Sequence, residues 1–149
     1  MTQRVDLATV MDQLAIDEVI SGYAMALDDS DWPALLALFT PDGRADHRGA
    51  GGIEGPAAEV ADWLAGALGP FPVRQHLIGN RRLTFQDGGG FPGDRAEARA
   101  DCLTTMFPES GEVTSAVSRY TFGLSRTDDG WRLHSVVARE RARRGADAS

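Results

Sequence analysis

The stretch Gly22–Phe39, GYAMALDDSDWPALLALF, decides the fold. Upstream of its acidic corner, Leu7, Val10, Met11, Leu14, Ile16, Val19, Ile20, Tyr23, Ala24 and Leu27 recur at spacings of three and four. That period predicts an amphipathic helix over residues 7–27. Asp28-Asp29-Ser30-Asp31 then interrupts the period with short polar side chains that favour helix ends and turns. Ser30 or Asp31 is a natural N-cap, and Pro33 suits the first turn of a new helix, where its missing N–H is not needed. Trp32, Leu35, Leu36, Leu38 and Phe39 give that short helix its apolar side. Gly22 within the first helix costs about 1 kcal/mol against Ala, which points to close packing at that position. The corner leaves Tyr23 and Asp28 facing whatever the two helices cover.

Beyond the corner, Thr40-Pro41-Asp42-Gly43 has turn chemistry and is expected to stop the second helix. Residues 44–48 suit a short strand and 49–52 a flexible connection. Gly55-Pro56 opens a third helix over 57–68, and Gly69-Pro70 ends it. The period then changes to two. Strands are predicted over 73–86, bulged near Gly79, and over 95–107, 113–126 and 130–141. The links DGGGFPGD, ESGE and TDDG read as hairpin turns. Helices followed by an antiparallel meander indicate an α+β fold in one domain over 1–149, with 1–6 and 142–149 as loose ends. A curved sheet covered by the N-terminal helices makes a cone with an internal pocket.

Composition narrows the function. A hydrophobic fraction of 42% and a charged fraction of 25% are those of a soluble globular chain. A formal charge of −7 argues against a nucleic-acid surface. Arg139, Arg141, Arg143 and Arg144 read as a solvated tail. Cys102, the one cysteine, falls in an alternating strand and reads as a small core residue. No apolar run approaches the ~20 residues of a spanning helix, and residues 1–15 lack a signal-peptide core, so a cytoplasmic location without membrane contact is expected. No GxGxxG, P-loop, GxSxG or HExxH pattern is present. His47, His76 and His134 are scattered, with no carboxylate at ligand spacing, so neither metal nor cofactor is expected.

His76, in VRQHLIGN, is the residue downstream that gives Asp28 a chemical meaning. Histidine exchanges protons near neutral pH, but it needs orientation and a partner for its charged form. A carboxylate on the other ring nitrogen supplies both, and a phenol nearby, such as Tyr23, can donate to a carbonyl oxygen that becomes an enolate. Taken singly, each residue has a plainer role: a strand histidine, a helix-end aspartate, a core tyrosine. His47, in RADHRG, is a candidate for the cavity mouth. Asn80 is either a ligand contact or a turn former, and Trp32 either lines the pocket or packs helix on sheet, as Trp63 does. His134, by alternation with Trp131 and Leu133, is expected to face away from the pocket.

The segments YAMALDDSDWPALLALFTPDG, HLIGNRRL and DGWRLHSVVARE resemble the SnoaL-like and scytalone dehydratase-like proteins of the nuclear transport factor 2-like superfamily. The resemblance runs from about Val10 to Glu140 and implies helices closing a highly curved sheet. Family dehydratases and the related lindane dehydrochlorinase use an Asp at the end of the first helix and a His on a strand after the third. Asp28 and His76 match that pair, and Tyr23 matches a tyrosine of the dehydratase branch. Scytalone dehydratase also brings a second histidine and a second tyrosine from its sheet, neither of which is matched to a position here. The resemblance thus implies a cofactor-independent lyase of secondary metabolism, dehydrating a small, largely apolar cyclic or polyketide-like hydroxy-carbonyl compound. The same base would serve an isomerase or a polyketide cyclase, and the superfamily also holds non-catalytic binding or partner subunits. It further implies a homo-oligomer, dimer or higher, through an exposed sheet face.

Overall fold

α1 (Leu7–Asp29) starts at Asp6, whose carboxylate accepts the Thr9 backbone N–H at 2.9 Å, and ends at Ser30 in the left-handed conformation, φ 53°. The computed structural model describes residues 6–88 and 91–145. The buried side of α1 is Ile16, Val19, Ile20, Tyr23, Ala24, Ala26 and Leu27. Its first turns depart from the predicted stripe, because Leu7, Met11 and Leu14 remain exposed. Polar contacts fasten that half of the helix instead. Arg126 donates to both Asp12 carboxylate oxygens, at 3.0 and 2.8 Å, and lies 4.7 Å over the Trp131 ring. The Trp131 indole N–H donates to the same carboxylate at 3.2 Å. A methyl group at Gly22 would sit 3.6 Å from Leu38, an ordinary contact, so packing does not require the glycine.

Asp31 caps α2 (Trp32–Ala37) by accepting the Ala34 N–H at 3.1 Å, while Ser30 terminates α1. The turn expected at Thr40–Gly43 is instead the start of strand β1 (Phe39–Gly49). The cause is tertiary. The Leu133 N–H donates to the Leu38 carbonyl at 2.7 Å and Phe39 pairs with Leu133, drawing the chain directly into the sheet. Pro41, Asp42 and Gly43 are absorbed as a register shift between Phe39 and Arg44.

The remaining elements are β2 (Glu54–Pro56), α3 (Ala57–Leu68), β3 (Val73–Gly88), β4 (Phe91–Phe107), β5 (Thr114–Thr127) and β6 (Gly130–Arg144). They build a curved, unclosed sheet in the order β2-β1-β6-β5-β4-β3. The fold is α+β, as predicted, but the sheet is mixed rather than antiparallel throughout. β1 runs parallel to β6, which a hairpin cannot connect; the whole β2–β5 excursion lies between them. β6 continues through Arg144, paired with Ser115, so residues 142–144 and the arginines read as a tail belong to the sheet. Part of the DGGGFPGD link lies outside the described residues; β3 and β4 pair antiparallel on either side of it. The bulge predicted near Gly79 is present, with a register shift before Arg82 and Asn80 at φ 50°.

The inward face of β4 is Ala96, Ala98, Ala100, Cys102, Thr104 and Met106, all buried. Rows of inward residues cross the sheet from this strand. At one end Phe122, Leu124, Leu133 and Val136 fill the space beneath α1. At the other, the rows Cys102–Ser118–Glu140 and His76–Thr104–Ala116–Arg143 are mostly small, and the concave face stays hollow. No helix among the described residues is long and apolar enough to cross a membrane.

Arg74, two residues before His76 on the same face of β3, ties this edge of the sheet to the helices. Its buried guanidinium donates to the Leu27 carbonyl at 2.9 Å, to the Phe71 carbonyl at 3.0 Å, and to the Ser30 hydroxyl. The Leu27 carbonyl lies at the end of α1, where a cation is favoured, and its backbone bond from Ser30 is long at 3.4 Å; the Phe71 carbonyl lies in the α3–β3 link. Burial pulls the Arg74 pKa down from its ordinary value, with Asp28 and Asp29 opposing. Replacing it with methionine keeps the volume and strands these acceptors. Arg74→Met is expected to lower the free energy of unfolding by about 2–4 kcal/mol, read from urea denaturation.

Candidate active site

Asp28 lies one residue before the end of α1, where the helix presents its negative end and a carboxylate is poorly placed on electrostatic grounds. β3 compensates. The His76 backbone N–H donates to the two carboxylate oxygens at 3.0 and 3.1 Å, and His76 Nδ1 lies 2.6 Å from Oδ1. The side chains are 17% and 7% exposed, so the contact is shielded from bulk water. A carboxylate only accepts, so Nδ1 carries the proton and Nε2 of the neutral ring holds a lone pair. The structure therefore brings Asp28 and His76 together across 48 residues of chain.

His76 lines a cavity of about 450 Å³ between α3 and the concave sheet. Leu27, Leu64, Leu68, Phe71, Met106 and Ala116 give it apolar walls, and Thr104, Ser118 and Tyr120 add hydroxyls. Gly49, Ala50 and Gly51 border it next to Trp63, whose ring lies so close over Gly52 that any side chain there would collide with it. Glu140 and Arg143 also line it and form an ion pair at 2.8 Å. Among the described residues no group of three or more His, Cys, Asp or Glu is placed to hold a metal ion.

His47, on β1, lies deeper than a mouth position. It is 3% exposed, lines the cavity, and its Nε2 is 3.2 Å from the Tyr23 hydroxyl. Burial pushes its pKa down to about 4; the neighbouring Asp46 opposes that shift and His76 adds to it. Tyr23 is not a cavity wall. Its ring packs edge-on against Tyr120 and Phe122, centroids 6.0 and 5.5 Å away, and burial raises its phenol well above the ordinary value. Trp32 is partly buried against the core and does not line the cavity. Asn80 sits on the β3 bulge, donates to Asp101 at 3.3 Å, and borders an open hollow outside the sheet edge. His134 is likewise away from the cavity lining.

Sequence reasoning missed Tyr120 and the Glu140–Arg143 pair, and took Trp63 for packing alone. Tyr120 carried a signal, since Ala116, Ser118, Tyr120, Phe122 and Leu124 alternate on one face of β5. Burial pushes its phenol up as well.

A family model described as the SnoaL-like domain matches residues 8–137. The chain belongs to the SnoaL-like family. A Mycobacterium tuberculosis relative, Rv2910c, is 33% identical over 129 residues, covering 85% of this chain and 84% of its own. Among solved structures, the hexachlorocyclohexane dehydrochlorinase LinA-type3 from Novosphingobium barchaimii superposes with a TM-score of 0.78 at 18% identity, covering 97% of each chain. A Novosphingobium aromaticivorans protein provisionally classed as a scytalone dehydratase gives a TM-score of 0.79 at 16% identity, over 95% of this chain and 91% of its own. At these identities the likeness is one of fold, and this SnoaL-like chain shares the helix-covered sheet of both.

The buried His47 links stability to pH. The unfolded chain protonates this ring near pH 6.5, whereas the folded chain does so only near about 4. Acidification between those values therefore favours unfolding, by up to about 1.4 kcal/mol per pH unit, and the loss is complete below the folded pKa. His47→Gln is expected to flatten this part of the profile, as measured by urea midpoints at about pH 7 and about pH 5.

Proposed function

We propose that the protein is a cofactor-independent lyase that dehydrates a small, largely apolar cyclic or polyketide-like hydroxy-carbonyl compound. The observation that carries this reading is the 2.6 Å contact between Asp28 and His76 beside a largely apolar cavity of about 450 Å³. With Asp28 occupying Nδ1, the other nitrogen of His76 is the base. It takes a proton from the carbon next to the substrate carbonyl, and the electron pair moves to the oxygen as an enolate. The enolate then re-forms the carbonyl and expels the neighbouring hydroxyl, which leaves as water with the proton carried by His76. One residue thus acts as base and then as acid, while Asp28 holds the ring and balances its charge. Leu64, Leu68, Phe71 and Met106 suit an apolar ring and exclude water from the intermediate.

The outer sheet face supports assembly with a second copy. Leu77, Leu103 and Val117 are directly paired across β3, β4 and β5 and are 57%, 48% and 42% exposed. A row of this kind is more apolar than water-facing strands usually carry. Light scattering is expected to give at least a dimer, and Leu103→Lys to shift it toward monomer; a wild-type monomer overturns this part.

His76→Ala and Asp28→Asn are each expected to cost about 10² to 10⁴ in kcat on a β-hydroxy carbonyl substrate while the fold is retained. Product analysis decides the reaction. Loss of water supports the lyase, whereas a product of unchanged mass indicates isomerisation or cyclisation by the same base. No turnover from a broad pool of hydroxy-carbonyl compounds, with ligand binding intact in His76→Ala, overturns the enzymatic reading in favour of a binding subunit.

A further inference from the structure

We propose that His47, oriented by Tyr23, forms an oxyanion subsite in this cavity: a neutral imidazole whose Nδ1–H receives the enolate oxygen of a planar conjugated substrate. The proposal rests on His76 as the base, and it moves the oxygen-stabilising role from Tyr23 to His47.

Tyr23 is 1% exposed, and its hydroxyl meets His47 Nε2 at 3.2 Å, its hydrogen-bond partner among the described residues. The two groups can share that contact in two ways. If the ring donated from Nε2, the phenolic hydrogen would be left without an acceptor among the rings of Tyr120 and Phe122. An unmet buried donor costs about 1–3 kcal/mol. Tyr23 therefore donates, Nε2 accepts, and the ring proton sits on Nδ1.

Nδ1 has no protein partner among the described residues, and no enclosed side-chain nitrogen or oxygen there is left unpaired. The nitrogen is thus accessible, and the space beside the ring is the cavity that His47 lines. Burial keeps the ring neutral, its pKa lowered to about 4, so it donates a hydrogen bond without becoming a permanent cation beside the base. The cavity then presents a lone pair from His76 and an N–H from His47, the two functions that removal of a proton next to a carbonyl requires.

The walls around His47 set the ligand class. Trp63 and Tyr120 flank the imidazole with ring centroids 6.0 and 6.3 Å away. Both rings line the cavity, so an oxygen held at Nδ1 belongs to a body with aromatic walls nearby, which suits a flat conjugated ring better than a flexible chain.

para-Nitrophenol tests the subsite without knowledge of the substrate, because its oxygen mimics an enolate and its ionised form is yellow. With the wild-type chain, at a pH where the free phenol is mostly neutral, the bound dye is expected to appear as phenolate. His47→Phe is expected to weaken phenolate binding at least tenfold, the scale of one hydrogen bond to a charged group. Tyr23→Phe, which frees the ring to change tautomer, is expected to weaken it less. Nitrogen NMR of the unmodified protein is expected to show His47 protonated at Nδ1 near neutral pH, a readout that does not depend on a folded variant. An Nε2-protonated His47, a wild-type protein that does not bind the phenolate, or affinity unchanged in His47→Phe but lost in Tyr120→Phe overturns the subsite. The two readings separate cleanly. If His76→Gln abolishes turnover while His47→Phe leaves the phenolate bound, the base stands and this donor falls. If His76→Gln leaves turnover unchanged and the phenolate still depends on His47, the reverse holds.

Discussion

The contact between Asp28 and His76 is the constraint around which this end of the molecule is arranged. A carboxylate at the C-terminal end of a helix meets the negative pole of the backbone dipole, and it persists there only when something opposite supplies hydrogen. β3 supplies it from alternate residues of one strand face. His76 gives a backbone N–H and a ring N–H to Asp28, and Arg74 donates to the Leu27 carbonyl immediately before it. The side-chain period of the strand puts Arg74 and His76 side by side, so a single register aligns the arginine clamp and the imidazole. A slip of one residue would turn both to the outer face.

The hollow beside this contact is a consequence of residue size. Along the inward face the same sheet carries Phe122, Leu124, Leu133 and Val136 at one end and Thr104, Ala116 and Ser118 at the other. The first set meets α1 and makes a filled core. The second is too small to reach α3, and Trp63 and Leu64 do not descend far enough to close the gap. Each cubic ångström left empty forgoes packing energy, so the filled end of the sheet, with Ile16, Ile20 and Leu27 pressed onto it, must hold the fold for both ends.

What the sequence made legible follows from how local the physics is. The helix under residues 7–27, its acidic corner, the Pro33 start and the small-residue alternation of β4 were readable because each depends on neighbours a few positions away. The turn assigned to Thr40–Gly43 failed for the opposite reason: Leu133, more than ninety residues on, captures Leu38 and Phe39 and overrides turn chemistry. The parallel pairing of β1 with β6 was hidden by the same distance. In the candidate site, the pairing of Asp28 with His76 came from resemblance and context, since spacing alone does not show that two residues meet. Arg74 looked like any strand arginine, and nothing in RADHRG showed that His47 would be buried against Tyr23 rather than exposed at a rim.

The two histidines of the cavity, on this reading, show how partner choice sets a role without changing the residue type. Both rings carry their proton on Nδ1. At His76 the partner is a carboxylate, which can only accept, so it takes Nδ1–H and leaves the Nε2 lone pair facing the cavity. At His47 the partner is a buried phenol, which must donate, so it takes the Nε2 lone pair and leaves Nδ1–H facing the cavity. The same tautomer is presented end for end. Two lone pairs would offer a base with nothing to receive the developing charge, and two N–H groups would offer a receiver with no base. On the proposed mechanism, a carboxylate behind one ring and a phenol behind the other would let the hollow both pull a proton and hold the oxygen it leaves negative.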